Sequence, residues 1–193
     1  MARCKEFDRD DVVDKAMQVF WQKGFEATSV QDLVDAMGIN RGSIYDTFGD
    51  KAGLFDTVIK RYLSGSASHS LIDGAENSDP RATIEGFFQT LTGRCGGPDG
   101  RRGCLMTNTL TELCSRDQAM AKRLGGGMLR LEDALCTLIR RGQEAGDFTT
   151  AADARALART LVALSQGLLV IAKVGPGPEA LDDIATTALS LLD

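Results

Sequence analysis

Residues 28–51, TSVQDLVDAMGINRGSIYDTFGDK, constrain the fold more than any other segment, because their spacing builds two short helices across a tight turn. Ser29 is suited to N-cap a helix, and Asp32 three residues on completes a capping-box arrangement. Leu33, Val34 and Met37 place apolar side chains on one helical face. Gly38 follows, the residue that most readily takes the left-handed conformation ending a helix. Ile39 plugs the turn. Asn40 then caps a second short helix, which opens with Arg41, Gly42 and Ser43 and turns Ile44 and Phe48 inward. Two helices, a short turn with glycine and a second helix beginning in polar residues make a helix-turn-helix. That geometry lays a recognition helix in the DNA major groove.

The rest of the chain reads as helix, with no internal repeat, low-complexity tract or strand of any length. A first helix starts near Asp8, carries Val13, Ala16, Met17 and Phe20 inward and stops at Gly24. A fourth begins at Asp50 and runs through Leu54, Phe55, Val58, Ile59 and Tyr62, as the link to the remainder. Residues 64–70 and 74–79 are turn-like in composition. Asp79-Pro80 opens a fifth helix with the stripe Ile84, Phe87, Phe88 and Leu91. After a loop over 95–103, residues 105–113 make a short sixth helix. Ser115 and Gln118 cap a seventh that runs towards Gly146 through Leu131, Leu135, Leu138 and Ile139. The triplet at 125–127 should kink, break or loosen it, at about 1 kcal/mol per glycine relative to alanine. Thr150 and Asp153 cap an eighth helix, and Gly177-Pro178 opens the last. The expectation is an all-α chain of about nine helices: a three-helix helix-turn-helix domain over residues 1–50, then a helical domain over 51–193.

Apolar content of 43% with 25% charged residues is that of an ordinary globular protein. No unbroken apolar run approaches the roughly 18 residues of a membrane span, and no secretory signal stands at the start, so the cytoplasm is expected. The net charge of −5 sits awkwardly with nucleic-acid binding. Local charge sets phosphate contacts, however, and Arg3, Lys5, Arg9, Arg41 and Lys51 could share one face while Asp10, Asp11 and Asp14 face elsewhere. Binding should weaken steeply with salt. Five cysteines (Cys4, Cys95, Cys104, Cys114, Cys136) lack zinc spacing and should be thiols. His69 is the one histidine. Neither a metal nor a cofactor is expected.

The segment, with FWQKGFEATSV at 20–30 and TFGDKAGLF at 47–55, resembles the DNA-binding domain of the tetracycline-repressor (TetR) family of transcriptional regulators. The combination of KGF, TSV, MGINRGSIY and F-x-x-K at these spacings is specific, and about a quarter of the chain carries it. Val34 departs from the usual alanine at the contact between the two helices. The resemblance implies a repressor that binds an inverted-repeat operator in double-stranded DNA as a homodimer and is released by a small-molecule effector or by cysteine modification. It also implies a small-molecule effector bound in the second domain, which moves the fourth helix and changes the spacing of the recognition helices. Arg41, Gly42 and Ser43 would meet bases, Arg41 bidentately at guanine. Tyr45 and Lys51 match the family's phosphate-binding positions, and Thr28 and Ser29 at the start of their helix could do likewise. Asp46 should point away or repel wrong sequences.

Phe87, Phe88, Met106, Leu110, Met120, Met128 and Leu131 lie on the middle helices, which in this family enclose a ligand pocket; soft side chains suit such a cavity. Leu161, Leu164, Leu168 and Ile171, with Leu181, Ile184 and Ala188, belong to two terminal helices of the kind that form the family's dimer interface. Cys104 starts a helix after Arg101 and Arg102, a setting that lowers a thiol pKa, and RGCLMTNTLTEL at 102–113 looks like family members that sense electrophiles or oxidants through cysteine. Two rivals remain: an enzyme on a borrowed helical scaffold, which no phosphate loop or cofactor motif supports, and a regulator controlled by a partner protein without a ligand pocket.

Overall fold

The computed structural model describes residues 7–97, 100–115 and 117–193, the side chains of residues 119, 120 and 123 excepted. Arg3, Cys4, Lys5 and the Met120 side chain therefore lie outside the described residues. Two compact units are present, Met1–Gly65 and Ser66–Asp193. The first holds α1 (Arg9–Lys23), α2 (Val30–Met37), α3 (Arg41–Phe48) and α4 (Lys51–Ser64). The second holds α5 (Ala67–Gly74), α6 (Pro80–Gly96), α7 (Leu105–Leu113), α8 (Gln118–Ala145), α9 (Ala154–Ile171) and α10 (Pro178–Ser190), with 3-10 turns at Gly100–Arg102 and Ala172–Val174.

In the first unit the expected caps are all in place. Asp8, Ser29, Asn40 and Asp50 each accept a backbone N–H in the first turn of their helices. Gly38 closes α2 in the left-handed conformation, φ 71°. Val13, Ala16 and Phe20 of α1, Leu33 and Met37 of α2, Ile44 and Phe48 of α3 and Leu54, Phe55 and Val58 of α4 share the core. Phe55 meets Phe20 edge-on at 4.9 Å and Phe25 at the same distance, so α4 is welded to α1. This moves the boundary from the expected residue 50 to Gly65. Gly53 permits the tight entry to α4: a Cβ there would stand 2.1 Å from the Phe48 carbonyl oxygen.

The second unit buries Ile84, Phe87, Phe88 and Leu91 of α6 against Leu131, Leu135, Leu138 and Ile139 of α8. Leu157, Ala158, Leu161 and Leu168 of α9 and Leu181, Ala185 and Ala188 of α10 complete this core. The described residues form ten α-helices, not about nine. The additional one is α5, which Ser66 caps and which Ala67 and Leu71 anchor in the core. α8 also runs unbroken through 125–127. Leu124 and Leu131 are buried on either side of the glycines and hold the helix there. Near its middle α8 is joined to α9, where Arg155 pairs with Asp133 at 2.5 Å and Glu132 at 3.1 Å. Residues Ala154–Val174 are long and apolar enough to cross a membrane by length and composition alone, a test that a core helix also passes. Here one face of that segment lies in the core.

Candidate nucleic-acid interface

On α3, Arg41, Gly42, Tyr45 and Asp46 are exposed while Ile44 and Phe48 are buried. At 3.6 residues per turn the four exposed positions fall within an arc of about 140°. This is one open face on a helix whose other side is fixed in the core. Asp46 lies on it, one turn beyond Gly42, rather than pointing away. Ser43 is half-buried, and its N–H donates to the capping Asn40 carboxamide at 2.8 Å.

Arg41 and Tyr45, four residues apart, form a pair. The guanidinium donates to the Tyr45 hydroxyl from Nε at 3.3 Å and Nη2 at 3.2 Å and lies 5.6 Å from the ring centre. The tyrosine is 38% exposed. Two groups that donate to bases and phosphates thus stand together at the open start of the helix. Arg9 lies towards the other end of the helix, 5.5 Å from the ring of Phe48. The acidic residues of α1 are ion-paired: Arg61 of α4 grips Asp14 through Nε at 3.1 Å and Nη2 at 2.9 Å and reaches Asp10 at 3.3 Å. Asp11 pairs with Lys15. Local pairings of this kind, more than the chain's net charge, set the field at this surface.

Three of the expected phosphate contacts are otherwise engaged. Thr28 is 1% exposed, and its hydroxyl donates to the Gly24 carbonyl at 2.5 Å. The Ser29 hydroxyl caps α2 and donates to Asp32. The Asp32 carboxyl is lowered to about 2, first by the hydrogen bond from Lys23 at 2.6 Å and then by the Ser29 N–H and hydroxyl. A carboxylate therefore already occupies the amide end of α2. Lys51 is half-buried, and its ammonium points at backbone carbonyls of the α1–α2 turn. Each of these residues sits at a helix start, as the sequence suggested. Only the tertiary packing shows where its polar atoms go.

In the second unit Phe87, Phe88 and Leu131 pack in one core cluster, and the buried Met106 lies against Gly127, with its Sδ 3.4 Å from where a Cβ would be. Leu110 and Met128 are half-buried. Four of the residues expected between copies of the chain are instead inside one subunit: Leu161, Leu168, Leu181 and Ala188 are all buried. Leu164 and Ile184 are half-buried, and Ile171 is 42% exposed. The outer face of α9 and its 3-10 extension carries Ala163, Leu164, Gly167, Val170, Ile171 and Val174, at spacings of three and four with neighbouring pairs at 163–164 and 170–171. Val170 and Val174 are 51% and 79% exposed.

Cys104 N-caps α7 and is buried, as are Cys95 and Cys136; Cys114 is half-buried. None of these four forms a disulfide. Burial pushes the Cys95 thiol pKa up. Arg101, expected beside Cys104, lies against the backbone at Gly175. Among the described residues no group of His, Cys, Asp and Glu could hold a metal ion.

Two family descriptions match the chain: "Bacterial regulatory proteins, tetR family" over residues 12–58 and "Tetracyclin repressor-like, C-terminal domain" over residues 81–188. It is similar to the HTH-type transcriptional repressor ComR of Escherichia coli, 34% identical across 98% of this chain and 90% of that one. The HTH-type transcriptional regulator YezE of Bacillus subtilis is 33% identical over the full length of both. Among solved structures, a cysteine-substituted variant of the TetR family transcriptional regulator CifR, complexed with 26-bp double-strand operator DNA, is 29% identical. It covers both chains fully with a TM-score of 0.80. The chain belongs to the TetR family and is a DNA-binding transcriptional regulator of the helix-turn-helix kind.

Proposed function

We propose that the chain is a cytoplasmic repressor that binds an inverted-repeat operator as a homodimer and leaves it when its second unit takes up an effector. The observation that carries this reading is the open face of α3, with Arg41 and Tyr45 paired at its start and an apolar core behind it. The apolar outer stripe of α9 supports pairing of two copies, since a two-fold axis presents the same patch twice. Operator binding by the cysteine-substituted CifR variant and the name of ComR support repression. The test is selection of bound sequences from random duplexes. The expected product is an inverted repeat whose half-sites are one helical turn, or a multiple of it, apart. Enrichment of a single unpaired site, or of none, would overturn the reading.

For release, an effector held among α6, α7 and α8 and modification of the Cys104 thiol are the two routes the second unit offers. The position of Cys104 at the start of α7, among those helices, supports the second. Accessibility favours Cys114, the less buried of the two, so reactivity separates them. Treated with a small electrophile near neutral pH, Cys104 should be labelled before Cys114 and Cys136 in a mass-spectrometric time course, with DNA released in step. Labelling of Cys114 first, or release of Cys104→Ser as readily as the wild type, leaves the reversible ligand as the control.

A further inference from the structure

Lys51 occupies the first position of α4, where a free ammonium would face a DNA phosphate. Its surroundings give it another task. The Nζ donates to the Phe25 carbonyl and to the Thr28 carbonyl, each at 2.7 Å, and approaches that of Glu26 at 3.5 Å. It also lies 4.5 Å from the centre of the Phe25 ring. An ammonium has three N–H donors and no acceptor, and here three carbonyls face it. These carbonyls belong to the turn joining α1 to α2, a non-helical stretch whose backbone groups need partners from elsewhere.

The backbone of Lys51 is fixed as tightly as its side chain. Asp50 caps α4 through the Gly53 N–H at 2.8 Å, and Gly53 is held under the last carbonyl of α3 with no room for a Cβ. One residue therefore ties the end of α3 and the start of α4 to the turn that launches α2. We infer that Lys51 is a positioning residue, which sets α2 and the reading face of α3 against α4, and is not a phosphate contact. The inference rests on the DNA-binding reading above.

The two roles leave different signatures. A lysine on a phosphate releases a counterion, so its loss flattens the log–log dependence of affinity on salt by roughly one and weakens all duplexes alike. A staple carries no counterion, and its loss weakens only binding that depends on the reading face being set. Full-length Lys51→Met and Lys51→Arg are titrated between roughly 50 and 200 mM salt. The probes are the duplex that the wild type enriches from a random library and a scrambled duplex of equal composition, at a temperature where circular dichroism shows each protein folded. Lys51→Met should lose about tenfold on the enriched duplex, the scale of one lost base contact. Its scrambled-duplex affinity and its salt slope should match the wild type. Lys51→Arg keeps the charge, but its rigid planar fork cannot point at three converging carbonyls, so it should behave like the methionine variant.

A slope shallower by about one with equal loss on both duplexes, or full rescue by Lys51→Arg, would overturn the inference. If Lys51→Met does not fold, Lys51→Arg decides alone: wild-type affinity on the enriched duplex contradicts the staple, and loss confined to that duplex supports it. Failure of the wild type to enrich any duplex would be seen before any variant is made, and would count against the DNA-binding reading.

Discussion

Ile171→Glu should give a folded subunit that sediments as a monomer and binds the enriched duplex at least about a hundredfold more weakly than the wild type. Ile171 is 42% exposed in the single chain, next to Val170 and one turn before Val174, so the carboxylate does not enter the subunit core. In a contact between copies it would be a buried charge without a partner, a defect of roughly 3–5 kcal/mol. Two-fold symmetry places it twice. Leu168→Glu is the contrasting variant: Leu168 is fully buried inside the subunit, and its replacement should unfold the second unit instead. A dimeric Ile171→Glu with wild-type affinity would show that the outer stripe of α9 is not where the copies meet.

The largest stability effect is expected at Phe55. Its ring is fully buried between Phe20 and Phe25, each at 4.9 Å, where α4 meets α1. Phe55→Ala removes that ring and leaves a cavity, at a cost of about 3–5 kcal/mol. The chain carries its own reporter: Trp21 is the single tryptophan and stacks edge-on against Tyr62 of α4 at 5.2 Å. The tryptophan fluorescence transition in denaturant should move by that amount. The helical signal of the second unit, which lacks Phe55, should keep its own midpoint. An unmoved fluorescence transition would mean that α4 does not belong to the reading unit, and that the boundary at Gly65 is wrong.

The reading unit was legible in the sequence because its determinants are local. Ser29, Asn40 and Asp50 act within one helical turn, and Gly38 acts through its own φ, so each could be assigned from its neighbours alone. The boundary was not, since the tie between Phe20 and Phe55 spans sequence that no local signal connects. α9 is apolar on two faces, and periodicity cannot tell which faces its own core. The structure turns Leu161 and Leu168 inward and leaves Val170, Ile171 and Val174 outside. α5 escaped notice because serine and glycine dominate around it, while only Ala67 and Leu71 anchor it. For Thr28 and Lys51 the place at a helix start is local and legible, whereas the carbonyls that their polar atoms meet come from packing. A polar residue at a helix start reads as open to phosphate until the carbonyls that claim it are seen.

We propose that the open face of α3 reads base pairs. Selection from random duplexes with the wild type and with Arg41→Ala, at one fixed salt concentration, tests it most directly. The wild type should enrich an inverted repeat. Arg41→Ala should enrich the same repeat with preference relaxed at one position in each half, and should lose about 1–3 kcal/mol of affinity on the original. An Arg41→Ala variant that enriches the wild-type sequence with undiminished affinity would contradict the claim.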